Sequence, residues 1–449
     1  MTADIENRAQ EETEEIGHEE TVDEFKKLMY DMQEVRRKLV ITLLNDGRVP
    51  QDELRDLTSS LALLRDSRTS SDGQRHMTAS SQSFSVNIND EIVGLTKDVE
   101  FLNRLAGSDI ERTVEEVLGA VDLDSILAPY HPVSPTQFHI EVAEAVKFLD
   151  RFVSSSEGDD KPIFITDWDG TMKNYCSQYA TNVQPVYSAV CMARFAAFTR
   201  LAAVLTAGPL RGPGILDLTS LPIDGPLIFS GSWGREWWLR GRRIVHDDGV
   251  SEEGLDALQR LSDEMSSLLG NGEYSQFGLV GSGVQRKVDR LTLGVQTVCG
   301  HVEPDLSERY QDAVKERMHR VDPYNKILVF DRSTELEVEV CLHSSGSVWN
   351  KGDGVARLLQ STRQSLQSGK VLIAGDTSSD LPMLAYALEQ NPEGTMALFV
   401  GGKEELRERV RVLVQDESHC CFVSCPDVFH SAVAHLLISR SLPSSAPQN

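Results

Sequence analysis

Ile163-Phe164-Ile165-Thr166-Asp167-Trp168-Asp169-Gly170-Thr171 reads as a short apolar strand closed by two carboxylates, a glycine and a hydroxyl. Side chains at i and i+2 of an extended segment point the same way, so Asp167 and Asp169 can both reach one reacting group. Open α/β folds bind ligands beyond the carboxyl ends of their parallel strands, and this pair closes such an end. Gly170 lets the chain bend sharply, and Thr171 can cap a following helix. Paired carboxylates there suit metal-dependent phosphoryl transfer. An Asp-Gly turn after a strand is the plainer alternative.

Working outward, a second apolar run, Ala202-Ala203-Val204-Leu205, ends in Thr206-Ala207-Gly208. Trp349-Asn350-Lys351-Gly352-Asp353-Gly354 places a lysine in a loop that leads into a helical pattern from Val355 to Leu359. A third run, Val371–Gly375, ends in Asp376-Thr377-Ser378-Ser379-Asp380. Singly, Thr206 reads as a helix cap, Lys351 as a solvated lysine and Asp376 as a turn former. Together, in this order, two carboxylates, a hydroxyl, a lysine and a further carboxylate pair make up a phosphotransferase site.

This pattern resembles the haloacid-dehalogenase-like phosphohydrolases. Within them, Phe229-Ser-Gly231-Ser-Trp233-Gly234-Arg-Glu236 and Asn350-Lys351-Gly352 are similar to elements of the trehalose-6-phosphate phosphatases, and the long span between Thr206 and Lys351 has the size of that family's cap. With its helical N-terminal region the chain looks most like the nematode branch. The resemblance covers roughly residues 160 to 440. Trp233 stands where the family has His, a departure that removes whatever that His contributes.

The resemblance implies hydrolysis of trehalose 6-phosphate to trehalose and phosphate, the last step of trehalose biosynthesis. Asp167 would be the nucleophile, forming an aspartyl-phosphate. Asp169 would act as general acid and then as general base. Thr206 and Lys351 would hold phosphate oxygens. Mg²⁺ would be held by Asp167, Asp169 through its backbone carbonyl, and Asp376. Gly170 and Thr171 support the turn, and Asp380 would orient Lys351 or a metal-bound water. In the cap, Lys287 and Glu339 are the best-matched sugar contacts, with Gln285, Arg286, Gln296 and His343 beside them. A solvated charged face is the competing account of those six. Three alternatives stand next to this function: a related sugar-phosphate phosphatase, a hexose-phosphate mutase, and a non-catalytic scaffold for the helical N-terminal module.

A length of 449 residues allows two or three domains. A net charge of −25 repels nucleic acid and anionic membranes, and the small-molecule sugar phosphate that the resemblance implies as partner requires a locally positive site. The seven cysteines form no CxxC and no regular framework, no signal peptide is visible, and no apolar run reaches the roughly 18 residues of a membrane span. A cytoplasmic protein is expected.

Residues 1–20, with eight carboxylates against one Arg, read as a disordered acidic tail. Helical spacing from Val22 to Leu43, from Gln51 to Arg65 and from Ile92 to Leu105 predicts an N-terminal helical domain over 21–130, with Ser67–Ser85 as a polar linker and Pro129–Pro135 as another. The family resemblance implies a likeness to microtubule-interacting-and-transport modules. The helical stripes either bury one another or serve a protein partner or self-association. Residues 131–248 and 348–440 are expected to form an α/β core with a doubly wound parallel sheet. Residues 249–347 are expected to form an inserted α+β cap of αββαββ order, with strands at Phe277–Val280, Leu291–Val298, Ile327–Phe330 and Leu336–Leu342. Residues 441–449 are a tail.

Overall fold

The computed structural model describes residues 22–46, 48–68, 73–79, 82–107, 118–119, 121–154, 161–270, 272–297, 302–332, 334–343 and 349–441. Both expected tails, 1–20 and nearly all of 441–449, lie outside them. Helices α1 (Val22–Asp46), α2 (Gln51–Asp66) and α3 (Asn89–Ala106) follow the expected stripes. The expected Ser67–Ser85 linker instead contains an antiparallel hairpin, β1 (Gln74–Ala79) with β2 (Gln82–Asn87). Its Ser/Thr composition conceals a period-two pattern in which Met77 pairs with Phe84 and Val86 is buried. The Pro129–Pro135 stretch is no free linker either. It makes a 3₁₀ turn at Ala128–Tyr130, buries His131 and passes directly into helix Pro135–Val153, capped by Ser134 Oγ accepting from Gln137 N at 3.1 Å.

The central sheet starts at β3 (Ile163–Thr166), continues with β4 (Leu201–Leu205) and β5 (Ile228–Gly231), and then reverses into β6 (Glu236–Leu239) and β7 (Arg242–Val245). A separate four-stranded antiparallel sheet follows, made of β8 (Val284–Arg286), β9 (Arg290–Gly294), β10 (Leu328–Asp331) and β11 (Glu337–Leu342) in the order β10-β11-β9-β8. The chain then returns through β12 (Val371–Gly375), β13 (Thr395–Val400) and β14 (Cys420–Val423). The eight strands lie in the order β14-β13-β12-β3-β4-β5-β6-β7, parallel from β14 to β5 and antiparallel beyond. The sheet is therefore mixed rather than wholly parallel, and β6 and β7 were not foreseen. Sequence alternation decides which helices cover each face. Phe164, Ala202, Val204, Leu372 and Leu398 pack toward helices Pro135–Val153, Val186–Ala196 and Pro426–Ser441. Ile163, Ile165, Ala203, Ile373 and Phe399 pack toward helices Lys351–Thr362, Leu381–Gln390 and Glu404–Val414.

The inserted segment has the expected αββαββ order, with helices Glu252–Gly270 and Pro304–Val321, but its first strand is β8 and not Phe277–Val280. Phe277 lies in a 3₁₀ turn, its ring stacked on Tyr310 with centroids 3.8 Å apart, and Gly281 and Gly283 adopt positive φ that ends any extended run. The expected Leu291–Val298 strand stops at Gly294, where an added Cβ would lie 1.9 Å from Val280 O.

The N-terminal helices share one apolar cluster with the core, from Phe25 and Leu102 to Phe164 and Phe429. Buried ion pairs stitch the junction: Arg36 Nε to Asp98 Oδ2 at 2.7 Å, and Lys97 Nζ to Asp427 Oδ2 at 2.6 Å. Val186 N donates to Asp98 Oδ1 at 2.7 Å, and Tyr187 Oη donates to Asp427 Oδ1 at 2.7 Å.

Glu91 of α3 sits at the same junction, accepting from Thr181 Oγ1 at 2.7 Å while its other carboxylate oxygen is buried without a partner. Burial pushes its carboxyl up to about 8, against the pull of the Thr181 hydrogen bond. The unfolded chain releases this proton near the ordinary value of 4.5, so across that window the folded state binds more protons and stability falls as pH rises. Glu91→Gln is expected to flatten this fall. The urea midpoint should drop between about pH 5.5 and about pH 8 in the native chain and drop less in the variant. Equal drops would mean that Glu91 is ionised in the folded protein.

Candidate active site

β3 delivers Asp167, whose backbone N donates to Ala374 O of β12 at 2.9 Å, so two neighbouring strands fix its position. Thr171 Oγ1 donates to Asp167 Oδ2 at 3.1 Å. Gly170 has φ +82°, and a Cβ there would stand 2.1 Å from Asp376 Oδ2. Only glycine lets the turn pass this close to the next carboxylate. Asn350 caps helix Lys351–Thr362, its side chain accepting from Gly352 N at 2.8 Å, and so places Lys351 in the first turn. Lys351 Nζ reaches Asp167 Oδ1 at 2.5 Å and Asp380 Oδ1 at 2.6 Å. Asp380 in turn accepts from the backbone N of Asp376 and of Thr377, each at 3.0 Å. Thr206 Oγ1 lies 3.5 Å from Asp169 Oδ2 and accepts from Gly208 N at 3.2 Å.

Carboxylate oxygens of Asp167, Asp376 and Asp380 all lie within 4.8 Å of one another. Burial, with Asp380 and Asp169 nearby, pushes Asp167 up to about 7 against the pull of Lys351. Burial, with Asp167 and Asp380, pushes Asp376 up to about 9. Burial alone would lower Lys351, but those carboxylates outweigh it and hold the ammonium above its ordinary value. Asp376 Oδ1 is buried without a hydrogen-bond partner. A crowded, all-oxygen, partly orphaned acidic set fits a hard divalent cation, which would relieve the repulsion. The Asp169 carboxylate stands apart from this set, 3.5 Å from Lys173 Nζ.

A cavity of about 410 Å³ lies between the sheet's carboxyl edge and the inserted segment, within the size range of small-molecule sites, about 300–1,000 Å³. Asp167, Asp169, Thr206, Lys351 and Asp376 line its floor, and Gln285, Lys287, Gln296 and Glu337 line its roof.

Two family models match parts of the chain. The C-terminal model of trehalose-6-phosphate phosphatase matches residues 164–429, and that family's N-terminal helical bundle model matches 21–120. The trehalose-phosphatase of Brugia malayi is 60% identical over 426 residues, 93% of this chain and 86% of that one. Those of Caenorhabditis elegans and Caenorhabditis briggsae are 53% and 51% identical, each over 93% of this chain and over 96% and 98% of their own. The chain belongs to the trehalose-6-phosphate phosphatase family.

The phosphatase brings Asp167, Asp169, Thr206, Lys351, Asp376 and Lys287 to one cavity together with Gln285 and Gln296, but it does not bring all the expected side chains. Gln296 is tied down, its side chain bonding Val302 N and O, each at 2.8 Å. Asp380 is fully buried beneath the floor, on Lys351. Glu339 lies behind the roof, accepting from Arg290 Nη1 at 3.0 Å and Thr292 Oγ1 at 2.9 Å, with Lys287 Nζ 3.8 Å away. Arg286 is outside the cavity lining and donates to Val288 O at 3.3 Å. His343 is exposed at the end of β11 and also outside the lining. For Arg286, strand alternation is the cause: it falls between Gln285 and Lys287, so its side chain takes the other direction, whereas His343 lies beyond the end of β11, six residues from Glu337. Sequence reasoning missed Glu337, Tyr175, Tyr179 and Asn182, which also line the cavity. The alternation of Glu335, Glu337 and Glu339 was the one signal for Glu337, while the loop residues carried none.

Proposed function

We propose that this chain is a Mg²⁺-dependent phosphatase that hydrolyses trehalose 6-phosphate to trehalose and phosphate. One observation carries the reading: a single cavity is floored by the Asp167–Lys351–Asp376 cluster and roofed by Lys287, Gln285 and Glu337, so a phosphate below and sugar hydroxyls above can be held together. Asp167 attacks phosphorus, forming an aspartyl-phosphate as the sugar oxygen leaves. Asp169, freer of the carboxylate cluster, gives its proton to that oxygen and then takes one from the water that releases phosphate. Lys351 and the Thr206 hydroxyl hold phosphoryl oxygens as charge builds on them. Asp167, Asp376 and the Asp169 carbonyl would hold Mg²⁺, which when bound neutralises phosphate charge. Asp380 keeps Lys351 aimed at Asp167. The free thiols of the six described cysteines suit a reducing compartment and support a reading of this reaction as cytoplasmic.

Burial lowers Lys287, against Glu339 and Glu337, so its ammonium is costly to keep and is best repaid by a ligand. Lys287→Ala removes a charge-assisted hydrogen bond worth about 1.5–3 kcal/mol, or roughly a ten- to 150-fold loss in kcat/KM for trehalose 6-phosphate. A small aryl phosphate, too short to span from floor to roof, should lose far less. Parallel losses on both substrates would remove Lys287 from sugar recognition.

A further inference from the structure

Trp233 occupies an uncommon conformation at a crossing of core and cap. Its φ is 53° and its ψ 33°, in the left-handed region that bulky residues rarely adopt, and Ser232 before it also has φ 53°. Such strain persists where the surroundings demand it. Here the backbone of Trp233 belongs to the core. Its N donates to Thr206 O at 3.0 Å, and its carbonyl accepts from Trp349 Nε1 at 2.8 Å, two residues before Lys351. The left-handed turn aims its ring at the cap. Lys287 Nζ lies 4.4 Å from the ring centroid and Arg290 Cζ 4.1 Å from it.

These two cations repel each other, and Arg290 adds to the lowering of Lys287. An aromatic face offers both of them negative charge without a proton to lose, and an indole offers the most. A histidine at this position would present a weaker face that turns cationic when protonated. The same crossing carries further ties: Arg235 Nε to Asp289 Oδ2 at 3.1 Å, Val288 N donating to Ser232 Oγ at 3.3 Å, and Arg235 stacked 4.4 Å over Trp349. The first two join the turn between β8 and β9 to residues 232–235, and the third holds that segment against Trp349 in the loop that leads to Lys351.

We infer that Trp233 is a positioning residue: its ring seats the β8–β9 turn of the cap on the core and holds Lys287 at the cavity roof. This rests on the reading of that cavity as the sugar-phosphate site.

Trp233→Asn and Trp233→Phe in the full chain test it. Asn enters the left-handed region more readily than Trp, so the Asn variant should fold while lacking the aromatic face; Phe keeps a face. Two measurements are made: KM and kcat on trehalose 6-phosphate, and amide hydrogen exchange of residues 284–294 without substrate. Trp233→Asn is expected to raise KM about tenfold with kcat within about threefold, and to speed exchange of that turn about tenfold. Trp233→Phe should stay within about threefold of the native chain in both. A native value for either measurement in the Asn variant, or a Phe variant as impaired as Asn, overturns the inference. The exchange measurement needs no substrate. If the native chain fails to hydrolyse trehalose 6-phosphate, the functional reading falls and exchange alone decides the role of Trp233.

Discussion

Asp167→Asn is expected to lose on the order of 10⁴-fold in kcat, the scale on which single members of a nucleophilic constellation fall, equivalent to about 5.5 kcal/mol of barrier. The amide nearly matches the carboxylate in shape and can keep the Lys351 contact at Oδ1 and the Thr171 contact at the second position. It cannot attack phosphorus or balance a divalent cation. The fold should persist, because Asp167 is held chiefly by its backbone bond to Ala374 and by β3 itself. Far-ultraviolet circular dichroism and steady-state phosphate release on the same preparation decide the matter. Activity of even about a tenth of native, a barrier change of only about 1.4 kcal/mol, would remove Asp167 as nucleophile.

Asp98→Ala is expected to cost about 3–5 kcal/mol of stability, the range for breaking a buried ion pair by removing one partner. Asp98 is fully buried and joins three helices, accepting from Arg36 of α1 and from Val186 N, which opens helix Val186–Ala196. The substitution strands the Arg36 guanidinium, itself 3% exposed, with no carboxylate. Replacing both partners, Arg36→Met with Asp98→Leu, should recover much of the loss because no charge is left buried. Urea midpoints measure both. A change within about 0.5 kcal/mol for Asp98→Ala would mean that the N-terminal helices dock too loosely for this pair to matter.

That second expectation ties the N-terminal helices to the core more closely than the two expected linkers, Ser67–Ser85 and Pro129–Pro135, suggested. Arg36, Lys97 and Asp98 in the sequence look like ordinary helix-surface charges, because their partners stand 62 residues away for Arg36 and 330 away for Lys97. No local pattern records such pairings. The floor of the cavity was legible for the opposite reason: Asp167, Thr206 and Asp376 each close a short apolar strand, and parallel strands deliver their ends to one edge. Lys351 was legible through its place between Asn350 and Gly352 ahead of a helical pattern, although it lies in the first turn of that helix and not in the expected loop. The roof was read less well. Alternation set Glu337 and Glu339 on one face, but which of them meets the cavity depends on Arg290 and Thr292, whose bonds to Glu339 arise only when β9 pairs with β11. Tyr175 and Asn182 come from an irregular loop, where side-chain direction follows from no period.

The most direct test of the account is phosphate release by the full chain from trehalose 6-phosphate and from a panel of hexose phosphates, with Mg²⁺ and again after chelation. The account predicts that trehalose 6-phosphate is preferred by at least about tenfold in kcat/KM, the smallest loss expected from the roof contact of Lys287. It also predicts that chelation silences the reaction and that added Mg²⁺ restores it, because Asp167, Asp376 and the phosphate itself cannot share one site as anions unaided. Equal rates on simple hexose phosphates, or full activity after chelation, would contradict it.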